Sequence, residues 1–203
     1  MRGLYLVTPN WDDTGRLLDV TEQALQEGVA LLQYRHKNAD AALRREQAGA
    51  LLLLARKYGV PFIVNDFIDL CEELDADGVH VGGTDISVAQ ARARLGKQKL
   101  VGASCYGDLQ LARQAQLGGA SYMAFGGFYP SLVKQYPVTT DPDIVLQAKR
   151  EIALPCVVIG GMTPENAAPL ATRGADLVAA ISSVYLADDV AISVREFNKL
   201  FGN

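Results

Sequence analysis

Short apolar runs alternate with amphipathic stretches along the whole chain. The apolar runs are rich in Val, Ile, Leu and Ala and stop abruptly at polar residues or glycines, which is typical of parallel strands that are buried on both faces. The stretches between them show helical spacing, as Leu17, Leu18, Thr21 and Leu25 do after the first run. The pattern predicts strands at residues 4–8, 31–34, 62–64, 79–81, 100–104, 122–125, 156–159 and 177–181.

Several of the helical stretches carry signals for where a helix begins or ends. The second is rich in Ala, Leu, Arg and Glu and ends at Gly59. Ser87 is a good N-cap, and Thr163 is a cap that is followed by a proline and an acid. The predicted helices cover residues 14–27, 39–58, 67–74, 87–95, 108–117, 142–152, a stretch that opens at 163, and 190–201.

The alternation amounts to eight strand–helix units in 203 residues, about 25 residues for each unit, which is what a minimal (β/α)8 barrel requires. No linker, low-complexity segment or shift in composition divides the chain. We therefore predict an α/β protein with a single (β/α)8 TIM barrel that forms one catalytic domain over residues 1–203. An open, doubly wound sheet is the alternative that the same alternation allows.

Composition excludes several classes of protein. Hydrophobic residues make up 49% of the chain and charged residues 21%, so disordered and fibrous proteins are excluded. The net charge is −4 and the basic residues are scattered, which argues against nucleic acid or an anionic membrane as a partner. No apolar run approaches the length that spans a membrane. The expected partners are small-molecule substrates, and a homo-oligomer is compatible with the sequence.

The cysteines and the N-terminus are informative about the cellular compartment in which the protein works. Cys71, Cys105 and Cys156 are odd in number, lie far apart and lack the spacing of a metal site, so we expect reduced thiols in the core. The chain runs from Met1 directly into a strand and leaves no room for a signal peptide. A cytoplasmic location is the prediction.

Two carboxylates stand at the ends of neighbouring predicted strands. Asp66 follows Asn65 after the third strand, and Asp85 follows two glycines after the fourth. In a parallel barrel both strand ends lie on one face, where two acids suit a hard cation such as Mg²⁺ that is held against a phosphorylated ligand. The alternative is that both acids are N-caps, above all Asp85, which stands two residues before Ser87.

Cations and glycines follow other strands. Gln33, Arg35 and Lys37 alternate, so they project from one side of an extended strand end, where a guanidinium and an ammonium suit a multiply charged anion. The alternative is that Arg35 and Lys37 are ordinary cations of a solvated surface loop. Lys134, considered alone, allows the same two interpretations. Gly160 and Gly161 precede a helix and favour a phosphate site together with the serines after the eighth strand, although they also suit a tight turn.

The two histidines receive different interpretations. His80 lies inside a strand and is expected to be packed and hydrogen-bonded in the interior, whereas His36 is expected at the rim among the cations.

The ordered set of these motifs resembles the thiamine phosphate synthase family. The motifs are Q-x-R-x-K, N-D, A-D-G-V-H-x-G-x-x-D, G-x-S, G-x-x-x-P-[ST]-x-x-K, I-G-G and I-S, and together they cover nearly the whole chain. The resemblance implies a (β/α)8 fold and Mg²⁺-dependent joining of 4-amino-5-hydroxymethyl-2-methylpyrimidine diphosphate to hydroxyethylthiazole phosphate, or to its carboxylated form, with release of diphosphate.

The resemblance also implies roles for particular residues. It assigns Mg²⁺ to Asp66 and Asp85, and the aminopyrimidine to Gln33 and Asn65. The groups that it places around the diphosphate are Arg35, Lys37, Ser104 and Lys134. Those that it places around the thiazole phosphate are Ser131, Gly161, Ile181 and Ser182.

The chain departs from the family pattern at several loop positions. Gly127 stands where proline is common, Gly83 where glutamine is frequent, and Val133 where a threonine would add a hydrogen bond to the thiazole phosphate.

The rival functions are a thiazole tautomerase-like enzyme, another phosphate-binding barrel enzyme such as a sugar-phosphate isomerase, and a non-enzymatic ligand sensor. The tautomerase and the sensor do not need the full set of acids and cations, and the isomerase needs an assignable acid or base.

Overall fold

The chain folds around a closed barrel of parallel strands. The computed structural model describes residues 1–83, 85–130 and 139–202. Each strand pairs with the next in chain order, and the pairing of the last strand with the first closes the barrel. The strands are β1 (Gly3–Val7), β2 (Leu31–Tyr34), β3 (Phe62–Asn65), β4 (Gly78–Val81), β5 (Leu100–Tyr106), β6 (Tyr122–Gly126), β7 (Cys156–Ile159) and β8 (Leu177–Ala180).

Helices connect consecutive strands, so the predicted (β/α)8 barrel is confirmed and the open doubly wound sheet is wrong. In the described ranges they are α1 (Thr14–Gln26), α2 (Ala41–Tyr58), α3 (Ile68–Glu73), α4 (Val88–Leu95), α5 (Leu109–Leu117), α6 (Ile144–Glu151), α7 (Pro164–Thr172), α8 (Ser182–Tyr185) and α9 (Val190–Lys199). The sequence did not predict the one-turn α8, because four residues are too few to show helical periodicity.

The two-residue period of the strands separates two apolar clusters. In β1, Leu4 and Leu6 point outward and pack in the layer between barrel and helices, whereas Tyr5 and Val7 point into the barrel. The interior cluster is therefore built from alternate positions of the strands, such as Leu31 in β2. Inward-pointing residues nearer the C-terminal ends of the strands lie at the face where the polar residues converge.

Gly102 in β5 leaves room inside the barrel for a large side chain of the next strand. It is in register with Tyr122 of β6, and a Cβ atom at position 102 would lie 2.1 Å from the Cζ atom of that ring. Because both residues lie in paired strands, neither backbone can move aside easily. We expect Gly102→Ala to lower the free energy of unfolding by roughly 1–3 kcal/mol in a denaturant titration.

Gly49→Ala in α2 is the matched control. A Cβ there would meet only Leu74 Cδ2, at an ordinary 3.9 Å, so the variant is expected to raise the free energy of unfolding by about 1 kcal/mol. A Gly102→Ala protein that is as stable as the wild type would show that Tyr122 repacks without loss.

Candidate active site

The loop after β2 carries two cations and is braced by the loop after β1. The backbone N–H of Arg35 donates to Thr8 Oγ1 at 2.7 Å, and the N–H of Lys37 donates to Asn10 Oδ1 at 3.3 Å. Arg35 is buried, with 8% of its surface exposed, whereas the Lys37 side chain is half exposed and places Nζ 3.1 Å from Asp66 Oδ2. Lys37 therefore reaches the end of β3 and Arg35 is buried, so a purely solvated surface loop is excluded.

The two predicted strand-end acids meet. The side chains of Asp66 and Asp85 lie next to each other, and Asp85 Oδ2 accepts from the Gly82 N–H at 2.7 Å. Burial raises the pKa of Asp66, and the neighbouring Asp85 raises it further, while the hydrogen bond from Lys37 lowers it. Two carboxylates and one ammonium thus form a compact cluster at the ends of β3 and β4.

The backbone at Asp66 is strained. Its φ is +64°, and the Phe67 N–H donates to the Asn65 carbonyl at 2.8 Å, which closes a tight three-residue turn. The Asp66 N–H in turn donates to the His80 carbonyl at 2.9 Å and ties the turn to β4. A non-glycine residue at positive φ is costly, and such strain clusters at functional sites. The turn directs the Asp66 carboxyl toward the cluster rather than along the strand.

Neither acid is the N-cap of the helix that follows it. The cap of α4 is Ser87, which forms a reciprocal capping box with Gln90. The residue at the cap position of α3 is Phe67, and no side chain caps that helix. The competing interpretation of Asp66 and Asp85 as helix caps is therefore wrong.

The donor set at this cluster fits Mg²⁺. In the described parts of the chain there is no group of three or more His, Cys, Asp or Glu side chains that could enclose a metal. Mg²⁺ does not need one, because it commonly takes one or two protein carboxylates and completes its shell with water and substrate phosphate oxygens. Asp66 and Asp85 would supply those two carboxylates.

A line of buried polar side chains crosses the barrel interior beneath the cluster. Gln33 Nε2 donates to Tyr5 Oη at 2.5 Å, and Tyr5 Oη lies 2.7 Å from Tyr122 Oη. Tyr122 Oη is 3.1 Å from His80 Nδ1, and His80 Nε2 is 2.9 Å from Ser104 Oγ. Burial raises the pKa of both tyrosines well above the usual value, so each phenol is neutral at pH 7. Five strands contribute to this line.

Only part of this interior set was predictable from the sequence. His80 is hydrogen-bonded in the interior, as predicted, and Gln33 and Ser104 were predicted site residues. Tyr5 and Tyr122 were missed, although their inward positions in apolar strands were a usable signal, since a buried phenol needs a hydrogen-bond partner. The rim position predicted for His36 is wrong, because only 3% of this residue is exposed.

His36 is covered by the loop that follows β1. Its Nε2 lies 3.1 Å from Asp12 Oδ1, and its ring points away from Lys37, whose ammonium reaches Asp66. Alternating residues of an extended segment point to opposite sides, so a residue between two site cations turns away from the site.

A second group of predicted residues lies at the ends of β7 and β8. Gly160 and Gly161 have φ of +113° and +63°, and a Cβ at Gly161 would lie 2.1 Å from the Pro130 carbonyl oxygen. The Gly161 carbonyl accepts from Asn166 Nδ2 at 2.8 Å, which links this turn to the first residues of α7. Position 161 therefore requires glycine, as a close-approach turn does.

Ile181 and Ser182 follow β8 and lead into α8. They line a cleft of about 330 Å³ together with Trp11, whose ring packs edge-on against Tyr185 with centroids 5.5 Å apart. The predicted thiazole phosphate residues that the structure describes are thus distributed over the β7 and β8 ends of the same barrel face. Ser131, Val133 and Lys134 lie outside the described residues, and their sequence-based roles stay predictions.

The fold and the position of the polar cluster define the class. The protein is a (β/α)8-barrel enzyme with its polar groups at the C-terminal ends of the strands, where such enzymes carry their active sites. The chain belongs to the thiamine monophosphate synthase family, whose model matches residues 4–184. Enzymes of this family are transferases of thiamine biosynthesis.

Relatives match over almost the whole chain. The thiamine-phosphate synthase of Janthinobacterium sp. (strain Marseille) is 63% identical, with 99% of this chain and 97% of the relative covered. That of Thiobacillus denitrificans (strain ATCC 25259 / T1) is 50% identical, with 98% and 94% covered.

Solved structures agree with the fold. Thiamine phosphate pyrophosphorylase from Pyrococcus furiosus superposes with a TM-score of 0.85 at 29% identity, covering 98% of this chain and 95% of that one. A 3-hexulose-6-phosphate synthase reaches a TM-score of 0.72 at 17% identity, with 98% and 99% covered, and shows the shared fold alone. Among the helices in the described ranges, none is long and apolar enough to cross a membrane.

Proposed function

We propose that this chain is a Mg²⁺-dependent thiamine phosphate synthase. It joins 4-amino-5-hydroxymethyl-2-methylpyrimidine diphosphate to hydroxyethylthiazole phosphate, or to the carboxylated thiazole phosphate, and releases diphosphate, together with carbon dioxide when the thiazole is carboxylated. The observation that carries the proposal is the contact of Lys37 with Asp66, whose carboxyl group lies beside that of Asp85. A cation beside paired carboxylates suits a phosphorylated ligand that would bind together with Mg²⁺.

Each end of the pyrimidine substrate has its own residues. Asp66 and Asp85 would hold Mg²⁺, which when bound supplies positive charge against the diphosphate oxygens. Arg35, Lys37 and Ser104 donate to the same oxygens, with Lys134 as a further donor predicted from the sequence. Gln33 in β2 and Asn65 at the end of β3, which are both buried, hold the aminopyrimidine.

The thiazole phosphate is assigned to the ends of β7 and β8. Gly161 allows a phosphate oxygen to approach the backbone closely, and its positive φ of +63° supports such a turn. Ile181 and Ser182 line the neighbouring cleft. Ser131, which the sequence places in the loop after β6, is the remaining residue of this predicted subsite.

The reaction needs stabilisation of a leaving group rather than a nucleophilic side chain. The bond between the pyrimidine methylene carbon and the diphosphate oxygen breaks, the electron pair leaves with the diphosphate, and the thiazole nitrogen bonds to the carbon. The electron-rich aminopyrimidine spreads the positive charge that develops on the carbon. Arg35 and Lys37 stabilise the departing polyanion electrostatically, and the barrel positions the two substrates.

The three cysteines are not suited to act as nucleophiles at neutral pH. Burial raises the pKa of Cys71 to about 11 and the pKa of Cys105 and Cys156 to about 12. Each is therefore a neutral thiol at pH 7, and the thiolate is the nucleophilic form. Three buried free thiols also support our proposal that the protein works in the reducing cytoplasm. The single closed barrel supports our proposal that residues 1–203 act as one catalytic domain.

Mixing the two substrates with the purified protein tests this function. We expect thiamine phosphate and diphosphate to form in equal amounts with Mg²⁺, and no product to form when EDTA replaces the metal. No product with Mg²⁺ present would refute the synthase assignment, and an unchanged rate in EDTA would refute the metal dependence. Conversion of the thiazole without the pyrimidine substrate would favour a tautomerase instead.

A further inference from the structure

Three buried residues connect two parts of the proposed site that lie on strands which are not neighbours in the barrel. Tyr5, Tyr122 and His80 form a continuous hydrogen-bonded path from Gln33 on β2 to Ser104 on β5. Gln33 is assigned to the pyrimidine and Ser104 to the diphosphate. The path therefore joins the recognition group for one end of a substrate to a donor at its other end.

The path is part of the packed interior of the barrel. Tyr5 and Tyr122 are 1% and 0% exposed, and their rings meet edge to face with centroids 5.7 Å apart. The His80 ring stacks on Tyr122 at a centroid distance of 5.7 Å, and Gly102 leaves the space that the Tyr122 ring occupies. Ser104 is only partly buried, so the path ends at the open face of the barrel.

The ligand end determines the direction of every bond in the path. Diphosphate oxygens only accept hydrogen bonds, so Ser104 must donate outward and accept from His80 Nε2. A neutral His80 that donates from Nε2 accepts at Nδ1, so Tyr122 must donate to it. Tyr122 then accepts from Tyr5, which in turn accepts from an amide N–H.

The other end of the path meets the same requirement independently. Gln33 Nε2 donates to Tyr5, which leaves the carbonyl oxygen Oε1 of Gln33 for the substrate. An oxygen acceptor is what the exocyclic amino group of an aminopyrimidine needs. Both ends thus require the same direction of donation.

We propose that Tyr5, Tyr122 and His80 are positioning residues that form a one-way donor path from Gln33 to Ser104. The path rests on the proposed function, in which these two ends contact the pyrimidine and the diphosphate. It holds His80 as the neutral tautomer with its proton on Nε2, and it holds the Ser104 hydroxyl with its proton directed at the leaving group. Reversal of the path would turn that proton inward.

Nitrogen-15 NMR of the histidine side chains tests the direction without any substrate. The chain has two histidines, so the signals that vanish in His80→Gln belong to His80. We expect a protonated Nε2 and an unprotonated Nδ1 at pH 7.5 in the wild type. In Tyr122→Phe, which removes the donor to Nδ1, we expect a rise in the population protonated on Nδ1. A wild-type His80 that is protonated on Nδ1, or an unchanged tautomer in Tyr122→Phe, would overturn the proposal.

Kinetics test whether the path acts through Ser104. We expect Tyr122→Phe to lower kcat roughly tenfold, because a hydrogen bond to a charged group is misdirected, and to leave the KM for the thiazole phosphate unchanged. In a Ser104→Ala background, the same change should have no further effect on kcat. An equal loss in both backgrounds would overturn the proposal.

Tyr34→Phe is the matched control for these measurements. Tyr34 is 1% exposed and its hydroxyl donates to Gln47 Oε1 at 3.1 Å in the layer outside the barrel, so kcat should not change.

The NMR and kinetic experiments also separate this proposal from the proposed function. If the wild type forms no thiamine phosphate, the synthase assignment fails while the NMR result still decides the direction of the path.

Discussion

Asp66→Asn and Asp85→Asn should each lower the rate of thiamine phosphate formation by about 10²–10³-fold at fixed Mg²⁺. Each change removes one of the two negative charges that would hold the metal. Asparagine is the substitution of choice because it tolerates the positive φ of Asp66 and can still accept the Gly82 N–H at position 85. The measurement is the initial rate as a function of Mg²⁺ concentration, with circular dichroism to verify the fold.

Asp69→Asn is the matched control for both acids. Asp69 lies in α3 close to Asp66, its side chain is 89% exposed, and its partner is Arg94 at 2.7 Å. Its loss should leave the rate and its dependence on Mg²⁺ unchanged. If Asp66→Asn or Asp85→Asn retained the wild-type rate and the same Mg²⁺ dependence, that carboxylate would not be a metal ligand.

Lys37→Met should lower kcat about a hundredfold. The ammonium lies beside the paired carboxylates, at 3.1 Å from Asp66 Oδ2, and its charge would stabilise the departing diphosphate. Methionine keeps the length and the apolar part of the side chain but removes the charge. The measurement is steady-state kinetics with both substrates, and the expected loss is in kcat rather than in the KM for the thiazole phosphate.

Lys57→Met is the control for the loss of one lysine charge. Lys57 pairs with Glu22 Oε1 at 2.6 Å on the outer surface, so its removal should not alter kcat. Retention of the wild-type kcat in Lys37→Met would show that Lys37 serves only as a surface partner of Asp66, and Arg35 would then be the described cation to test next.

The strands were predictable because their signal is local. The run that precedes Asn65 and the run that precedes Gly82 are apolar and end sharply, as strands buried on both faces do. Once the order of the strands was known, the barrel rule placed Asp66 and Asp85 on one face. The structure confirms that these two side chains meet.

Other features were hidden because they depend on neighbours that are distant in sequence. His36 was expected at the rim among the cations, but the loop that carries Asp12 covers it. Tyr5 and Tyr122 are 117 positions apart, and no local pattern indicates that their hydroxyls meet. The helix-cap interpretation of Asp85 also could not be excluded from the sequence, since the competing cap, Ser87, stands only two residues away.

The amino-acid sequence by itself determined the order of the strands and helices, the barrel class and the set of polar residues at the strand ends. Tertiary structure alone decided which of these residues touch: Lys37 with Asp66, Asp66 with Asp85, and Gln33 with Ser104 through three buried rings. The physical reason is that periodicity and caps act over a few residues. The contacts of the site instead require closure of the barrel, which sets the register between strands.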